Sequence, residues 1–276
     1  MSESCTKSNC EGCSKSCGSR KAEQKPQVTG NDRVKKVIAV VSGKGGVGKS
    51  LVTSMLAAKS QANGLSTAIL DADITGPSIP RAFGVRQMAE VDDSDEMLIP
   101  STCSNGIKLM SMNLLMAEET DPVIWRGPII AGTVKEFWEK VSWGDVDCMF
   151  VDCPPGTGDV PLTVFQSMRI DGIVIVTTPQ DLVSMIVGKA VSMARMMNVP
   201  ILGLVENMSY FVCPDCGKEH DIFGHSHVKE TAEDFDIAVS ARLPMDPHVA
   251  ELVDSGRITE VDTSALDEIY KAIIEA

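Results

Sequence analysis

The chain has 276 residues, of which 43% are hydrophobic, and its formal net charge is −13. This length and apolar content suffice for one large α/β domain with a well-filled core. The acidic balance argues against non-specific binding to DNA or to an anionic membrane, since both favour surfaces rich in Lys and Arg. No window approaches eighteen apolar residues, and the N-terminus has no apolar leader. We therefore expect a soluble cytoplasmic protein with no nucleic-acid partner and no membrane partner.

Residues 1–32 are polar, rich in Lys, Ser and Gly, and without periodicity. We expect them to form a flexible tail that only a metal could order. Four cysteines cluster there: Cys5, Cys10, Cys13 and Cys17. Four thiols so close in sequence can converge on one metal centre, either an iron-sulfur cluster or zinc. The chain has nine cysteines, an odd number, and a reducing compartment is expected, so metal ligation is favoured over disulfides.

From residue 33 onwards, short β-branched runs alternate with amphipathic stretches of helical length. The runs are nearly continuous in apolar residues, which is typical of parallel strands buried on both faces. Strands are predicted at 36–42, 66–73, 107–112, 147–153, 172–179, 199–208 and 236–244. Helices are predicted at 49–63, 127–140, 181–197 and 263–275. This order predicts an α/β fold over residues 33–276, with a doubly wound, mainly parallel sheet and ligands at the carboxyl ends of its strands.

Two segments interrupt this alternation. Residues 85–105 contain the acidic run VDDSDE and are expected to form a solvated excursion. Residues 209–227 hold a second cysteine pair beside three histidines. Three cysteines lie outside both clusters, namely Cys103, Cys148 and Cys153, and we expect them to be small buried hydrophobes.

The sequence GKGGVGKS, residues 43–50, follows the first predicted strand and opens the first predicted helix. It matches the phosphate-binding loop G-x-x-x-x-G-K-[ST] in the context that this motif requires. Its glycines let backbone N–H groups surround phosphate oxygens, and the helix N-terminus adds its positive end. The predicted ATP-binding residues are Gly43, Lys44, Gly45, Gly46, Val47, Gly48, Lys49 and Ser50. Lys49 is a predicted catalytic residue that reaches the β- and γ-phosphates, and Ser50 is a predicted ligand of Mg²⁺.

Carboxylates follow two further predicted strands. Asp71 and Asp73 alternate at the end of the second strand, so only one of them can easily face a nucleotide. Asp152 follows the apolar run MFV and is predicted to hold Mg²⁺ as a Walker B acid. The sequence VDCPPGTGD, residues 151–159, suits a switch loop that senses the γ-phosphate.

The pair Cys213 and Cys216 lies in the sequence CPDCG and supplies two thiolates that can share a metal. CPxCG is also half of a zinc ribbon, and His220, His225 and His227 lie within reach in sequence. A zinc site built from these residues alone stays open at this point.

Lys44, directly after the first glycine, resembles the deviant phosphate loop of the MinD/ParA/nitrogenase-iron-protein group of dimerising ATPases. The wider set of motifs resembles the Mrp/ApbC family of P-loop ATPases that carry iron-sulfur clusters, including its cytosolic branch with N-terminal cysteines. Within residues 33–275 these motifs are GKGGVGKS, DADITGPSIP, WRGP, WGDVDCMFVDCPPGTGD, ENMSYFVCPDCG and RLPMDP.

The resemblance implies a homodimer that binds ATP, Mg²⁺ and a 4Fe-4S cluster and hydrolyses ATP weakly. It would receive the cluster from an assembly scaffold and pass it to apo iron-sulfur proteins. Lys44 would reach the phosphates of the partner subunit, and Asp73 would orient the attacking water. Asn207 would recognise adenine. Cys213 and Cys216 of two protomers would together hold the bridging cluster.

The cytosolic branch carries its N-terminal cysteines at wider spacing than this chain does, and it implies a second 4Fe-4S centre in the tail, with zinc as the alternative at either cysteine site. Other functions also fit the superfamily. One alternative is a MinD/ParA-like positioning ATPase, which needs a basic surface for a membrane or for DNA. An electron-donating ATPase or a metallocentre-maturation ATPase that inserts nickel is the remaining alternative.

Overall fold

The computed structural model describes residues 33–74, 76–92, 97–116, 127–156, 158–179 and 183–276. Four of the predicted metal ligands, Cys5, Cys10, Cys13 and Cys17, lie outside the described residues. The first half of the WRGP motif and Thr157 of the predicted switch loop lie outside them as well.

Strands and helices alternate along the described chain, so the predicted α/β fold is confirmed. The strands are β1 (Val34–Ser42), β2 (Thr67–Asp71), β3 (Glu90–Val91), β4 (Leu98–Ile99), β5 (Ser101–Thr102), β6 (Lys108–Met110), β7 (Val146–Asp152), β8 (Gly172–Thr177), β9 (Ile201–Val212), β10 (Glu219–His220) and β11 (Ser240–Pro244). The helices are α1 (Lys49–Ala62), α2 (Ile79–Ala82), α3 (Gly127–Lys140), α4 (Asp159–Ser167), α5 (Val183–Met196), α6 (Val228–Asp234), α7 (Pro247–Asp254) and α8 (Asp267–Glu275). None of the described helices is long and apolar enough to cross a membrane.

The central sheet has the strand order β10-β9-β8-β1-β7-β2-β6-β5, and β11 also pairs with β9. Its inner strands are parallel, while β5 and β10 pair antiparallel with their neighbours. Strand β1 lies between β7 and β8, and the chain leaves it through α1 towards β2 on one side. In such sheets the carboxyl end of the central strand is where ligands bind.

Both faces of the sheet are covered, and β1 shows how one strand serves two cores. Val37, Ala39 and Val41 pack into the cluster that includes α3 and α5, while Ile38 and Val40 pack into the cluster that includes α1. All five side chains are at most 1% exposed. Alternate residues of a strand point to opposite faces, so a nearly continuous apolar run is what a doubly covered strand requires.

The three cysteines outside the two clusters are buried, as predicted. Burial raises the pKa of the thiols of Cys103, Cys148 and Cys153 to about 12. These thiols therefore remain protonated at neutral pH and serve as small apolar side chains.

The observed elements differ from the predicted ones in several places, and the helices α2, α4 and α6 were not among the predicted ones. The strand predicted at 199–208 continues to Val212, because its end forms a hairpin with β10. The excursion at 85–105 contains the β3–β4 hairpin and β5 among its described residues. Helix α7 was not predicted, although Asp246 caps it by accepting a hydrogen bond from the backbone N–H of His248 (2.9 Å) and Pro247 occupies its first turn.

Candidate functional site

The predicted phosphate loop connects β1 to α1 at the carboxyl end of the sheet. Gly46 and Gly48 have φ angles of 77° and 85°, in the left-handed region that side chains disfavour. A Cβ atom at Gly48 would also lie 2.1 Å from Nδ2 of Asn207. Among the described residues, no side chain caps the N-terminus of α1, so its first N–H groups are available to a ligand. A cavity of about 370 Å³ lies over this loop.

Three donors converge on the buried carboxylate of Asp152. Nζ of Lys49 lies 2.7 Å from Oδ1, Oγ of Ser50 lies 2.5 Å from Oδ2, and Oγ1 of Thr53 lies 2.9 Å from Oδ1. Three of the residues that the sequence motifs single out therefore meet at one carboxylate. Thr53 was missed, although it stands four residues after Lys49 on α1 and so shares its helix face.

Lys49 is itself buried, with 6% of its side chain exposed. Burial lowers the pKa of its ammonium group, but the charge and hydrogen bond of Asp152 and the nearby charge of Asp73 outweigh this, so the pKa lies above its ordinary value. Oδ2 of Asp73 is 3.7 Å from Nζ of Lys49. Lys49 therefore stays a cation at neutral pH, held between two carboxylates.

The two aspartates at the end of β2 occupy different environments. Asp71 is fully buried and accepts hydrogen bonds from Oγ of Ser111 (3.0 Å) and from the backbone N–H of Asp73 (3.2 Å). Burial, together with the charge of Asp152, raises the pKa of Asp71 to about 8. Asp73 instead lines the cavity over the phosphate loop. The structure therefore separates a core carboxyl group from one that can face a ligand.

Lys44 is half-buried in the loop, and its carbonyl oxygen accepts a hydrogen bond from Oγ of Ser42 (3.0 Å). The backbone carbonyl of Ser42 in turn accepts a hydrogen bond from the backbone N–H of Gly156 (2.8 Å). Pro155 lines the same cavity as the phosphate loop. The described part of the predicted switch loop is therefore attached to the end of β1.

Asn207 lies on β9 with its side chain against the phosphate loop. Its Nδ2 donates to the carbonyl of Val47 (2.9 Å), and the residue is 3% exposed. It also lines a second cavity, of about 350 Å³, next to the first. Tyr210 and Asp246 contribute to this cavity, whose remaining wall is mostly apolar and includes Leu51, a residue that lines both cavities.

Cys213 and Cys216 lie at the tip of the hairpin formed by β9 and β10, which we call the cysteine hairpin (residues 211–221). The backbone N–H of Cys213 donates to the carbonyl of Lys218 (2.9 Å), and that of Gly217 donates to the carbonyl of Cys213 (2.9 Å). Cys213 is half-buried and Cys216 is exposed. Hydrogen bonds from the backbone N–H groups of Cys216 and then Asp215 lower the pKa of the Cys213 thiol. This turn therefore favours the thiolate form that binds metals.

In the part of the chain that the structure describes, no three His, Cys, Asp or Glu side chains are arranged to hold a metal ion. Nδ1 of His225 pairs with Asp221 (2.8 Å), and Nδ1 of His227 lies 3.6 Å from Glu230. The zinc site that the sequence left open thus has no third ligand among these residues. Two thiols on one hairpin amount to half of a four-thiolate site.

Comparisons with known proteins point to one family. A family model described as "ParA: NUBPL iron-transfer P-loop NTPase" matches residues 33–276. An "Iron-sulfur cluster carrier protein" of Clostridium perfringens is 41% identical, over 98% of this chain and 96% of the relative. A protein of the same description from Methanococcus maripaludis is 39% identical, over 99% of this chain and 96% of the relative.

Solved structures agree with this. A nucleotide-binding protein of Archaeoglobus fulgidus, in complex with ADP, is 42% identical and superposes with a TM-score of 0.77, covering 86% of this chain and 92% of that one. The septum site-determining protein MinD of Pyrococcus horikoshii, complexed with Mg-ADP, is 18% identical with a TM-score of 0.58, covering 86% of this chain and 94% of that one. The second likeness concerns the fold alone.

Proposed function

Since the chain belongs to the NUBPL iron-transfer family of ParA-type P-loop NTPases, we propose that it carries a 4Fe-4S cluster held between two copies of itself. One observation carries this proposal: the cysteine hairpin presents two thiols, and no third ligand accompanies them among the described residues. A 4Fe-4S cluster prefers four thiolates, and a second copy related by a twofold axis supplies the missing two.

The surroundings of the two thiols suit a cluster that is handed on. Cys216 is exposed and Cys213 half-buried, so a bridging cluster would lie at the surface, within reach of a recipient. The N–H groups that hydrogen-bond to the sulfur of Cys213 stabilise it as a thiolate before the cluster arrives. We propose that the cluster comes from an assembly scaffold and passes to apo iron-sulfur proteins, in keeping with the relatives described as cluster carriers.

ATP and Mg²⁺ fit the first cavity. The phosphates would lie on the N–H groups of residues 43–50, where the N-terminus of α1 favours negative charge. Lys49 would bind the β- and γ-phosphates. Ser50 and Asp152, whose oxygens lie 2.5 Å apart, would hold Mg²⁺ together. Thr53 would keep the Asp152 carboxylate oriented for this.

The base of the nucleotide fits the second cavity. Asn207 donates its amide nitrogen to Val47, so its amide oxygen can accept from the amino group of adenine. Hydrolysis would use Asp73 to orient the attacking water, because it lines the first cavity while Asp71 does not face it. Lys44 would add positive charge at the phosphates of the partner subunit, as a second copy closes over the loop.

Iron analysis of variants tests the proposal. The full chain and its Cys213→Ser/Cys216→Ser variant are reconstituted anaerobically, and iron, acid-labile sulfide and zinc are quantified. We expect the variant to lose about two irons per chain, the share of a cluster divided between two protomers. Cys103→Ala, which removes a buried thiol, is the matched control and should keep its iron. Equal iron in the double variant and the wild type would overturn the bridging site.

A further inference from the structure

Strand β9 connects the two candidate sites. Asn207, in its middle, contacts the phosphate loop, and Cys213 follows directly after its end. Between them Met208 has a φ angle of 55°, and the pairing of β9 with β11 shifts register between Arg242 and Pro244. The strand is therefore irregular in the stretch that separates the nucleotide cavities from the cysteine hairpin.

Arg242, on β11, is hydrogen-bonded to a buried side chain of this stretch of β9. Its Nε donates to Oγ of Ser209 (2.6 Å), and that hydroxyl donates to Oε1 of Glu206 (2.6 Å). A guanidinium group can only donate, so the serine accepts from it and gives its own proton to the carboxylate. Glu206 is 1% exposed and Ser209 is completely buried. The hydrogen bonds thus have one defined direction, and they anchor the half-buried guanidinium group to two buried side chains.

The same guanidinium group has two further contacts. Its Cζ lies 4.9 Å from the centroid of the ring of Tyr210, which lines the second nucleotide cavity. One of its terminal nitrogens lies 3.6 Å from Oδ1 of Asp221, at the base of the cysteine hairpin, directly after β10. A single side chain therefore contacts the cavity wall on one side and the hairpin on the other.

A neighbouring segment repeats this arrangement. Pro244, Asp246 and His248 line the second cavity and also a groove of about 360 Å³ beside the cysteine hairpin, whose other wall includes Phe211 and Pro214. The backbone N–H of Met245 donates to the carbonyl of Tyr210 (2.7 Å). A group that fills the cavity thus touches elements that also form the surroundings of the hairpin.

We propose that Arg242 is a positioning residue that couples the occupant of the nucleotide cavity to the orientation of the cysteine hairpin. The inference rests on the proposed function, in that the occupant is a nucleotide. A ligand shifts a conformational equilibrium only through contacts that differ between the two states. Tyr210 provides such a contact with the nucleotide. A shift of the Tyr210 ring moves Arg242, and Arg242 in turn moves Asp221 at the base of the hairpin. Cys213 and Cys216 are therefore oriented differently with and without nucleotide.

Thiol reactivity measures this coupling without any cluster. The reduced, metal-free full chain is treated with iodoacetamide, with and without Mg·ADP, and the alkylation rate at Cys216 is followed by peptide mass spectrometry. In the wild type we expect ADP to change the rate by about fivefold, the lower range of ordinary coupling between sites. Asp221→Asn removes the charge that Arg242 meets at the hairpin and that also pairs with His225, and it leaves the contacts of Arg242 with Ser209 and Tyr210. In this variant the alkylation rate at Cys216 should be the same with and without Mg·ADP, and the affinity for ADP should be unchanged.

Asp145→Asn is the matched control, because it breaks an Arg–Asp pair (Arg33 to Asp145, 2.7 Å) at the amino end of β7, whereas the phosphate loop lies at the carboxyl end of the neighbouring β1. It should keep the response to ADP. Arg242→Lys retains the charge but lacks the planar fork, and it should lose the response as Asp221→Asn does.

The coupling would be overturned if the alkylation rate at Cys216 in the wild type were the same with and without ADP, or if ADP still changed that rate in Asp221→Asn. Parallel measurements keep this result separate from the proposed function. If ADP still binds and the reconstituted chain still holds its iron, only the coupling has failed. If the reconstituted wild type holds no iron at Cys213 and Cys216, the carrier function has failed, while the thiol rates remain a valid test of the coupling.

Discussion

The phosphate-loop site lies against the middle of β9 and the cysteine hairpin follows the end of that strand, and the two are built in contrasting ways. At the first, Asp152 is buried and three side chains of one chain donate to it. At the second, two thiols stand on a two-stranded hairpin with one of them exposed. The first site is satisfied within a single chain, whereas the second has two thiols and no third ligand among the described residues.

This difference has a physical basis. A buried lysine and carboxylate are stable only when they compensate each other, so the nucleotide residues are held in fixed positions by their own contacts. A thiol at the surface needs no such partner and can exchange what it binds. This contrast is in keeping with the proposed function, in which the first site performs nucleotide chemistry and the second transfers a cluster.

The largest predicted effect is the contrast between exposed and buried thiols. In the metal-free native chain at pH 7, iodoacetamide should modify Cys216 at least about a thousandfold faster than Cys148 or Cys153, because a pKa near 12 leaves so little thiolate. Peptide mass spectrometry at short times measures both rates. Denaturant should remove the difference. Comparable alkylation rates at Cys216, Cys148 and Cys153 in the native chain would contradict the burial of the last two thiols.

Asp152→Asn should have the next largest effect. The amide keeps the shape but loses the charge that faces Lys49, which is 6% exposed. We expect a loss of about 3 kcal/mol in the free energy of unfolding and a decrease of about a hundredfold in ATP hydrolysis. Urea unfolding and phosphate release measure the two effects. Asp147→Asn, at the other end of β7 and paired with the exposed Lys35, is the control and should stay close to the wild type.

Thr53→Val tests the contact that the motifs did not reveal. The substitution keeps the volume and removes the hydroxyl group 2.9 Å from Asp152. Loss of one buried hydrogen bond of about 1 kcal/mol should slow hydrolysis about fivefold. Thr133→Val, on α3, removes an exposed hydroxyl that donates to the backbone carbonyl of Ile129 (3.1 Å), and it should leave hydrolysis unchanged. Equal rates in all three proteins would show that Thr53 plays no part in orienting the carboxylate.

The smallest predicted effect concerns the pH dependence of Cys213. N–H groups that hydrogen-bond to its sulfur stabilise the thiolate, so its pKa lies below the usual value for a thiol and its alkylation should reach half of the maximal rate at a correspondingly lower pH. The rate at Cys213 across a pH series in the metal-free chain measures this. A midpoint above that value would contradict the hydrogen-bonded geometry of the turn.

Sequence reasoning predicted the phosphate loop and Asp152 because both follow directly from local order: a strand, a glycine-rich turn and a helix, or an apolar run that ends in an acid. It also located most strands, since burial on both faces leaves a continuous apolar signal. The partners of these residues were not predictable in the same way. Ser111 reaches Asp71 through the pairing of β6 with β2, and Arg242 reaches Ser209 through the pairing of β11 with β9.

The cysteine hairpin was predictable from the sequence only in part. The spacing of Cys213 and Cys216 predicts that they share a metal, but it does not say whether a third ligand comes from the same chain. That depends on where His225 and His227 lie, and the structure pairs each of them with a carboxylate. The family resemblance already favoured a second copy, and the fold adds that no third ligand lies beside the two thiols among the described residues.

The most direct test of a cluster shared between two chains is the iron content and mass of a variant in which the four N-terminal cysteines, Cys5, Cys10, Cys13 and Cys17, are replaced by Ser. After anaerobic reconstitution, native mass spectrometry should detect a dimer with one 4Fe-4S cluster, which is about two irons per chain. Four irons per chain in a monomer, or zinc in place of iron, would contradict the account.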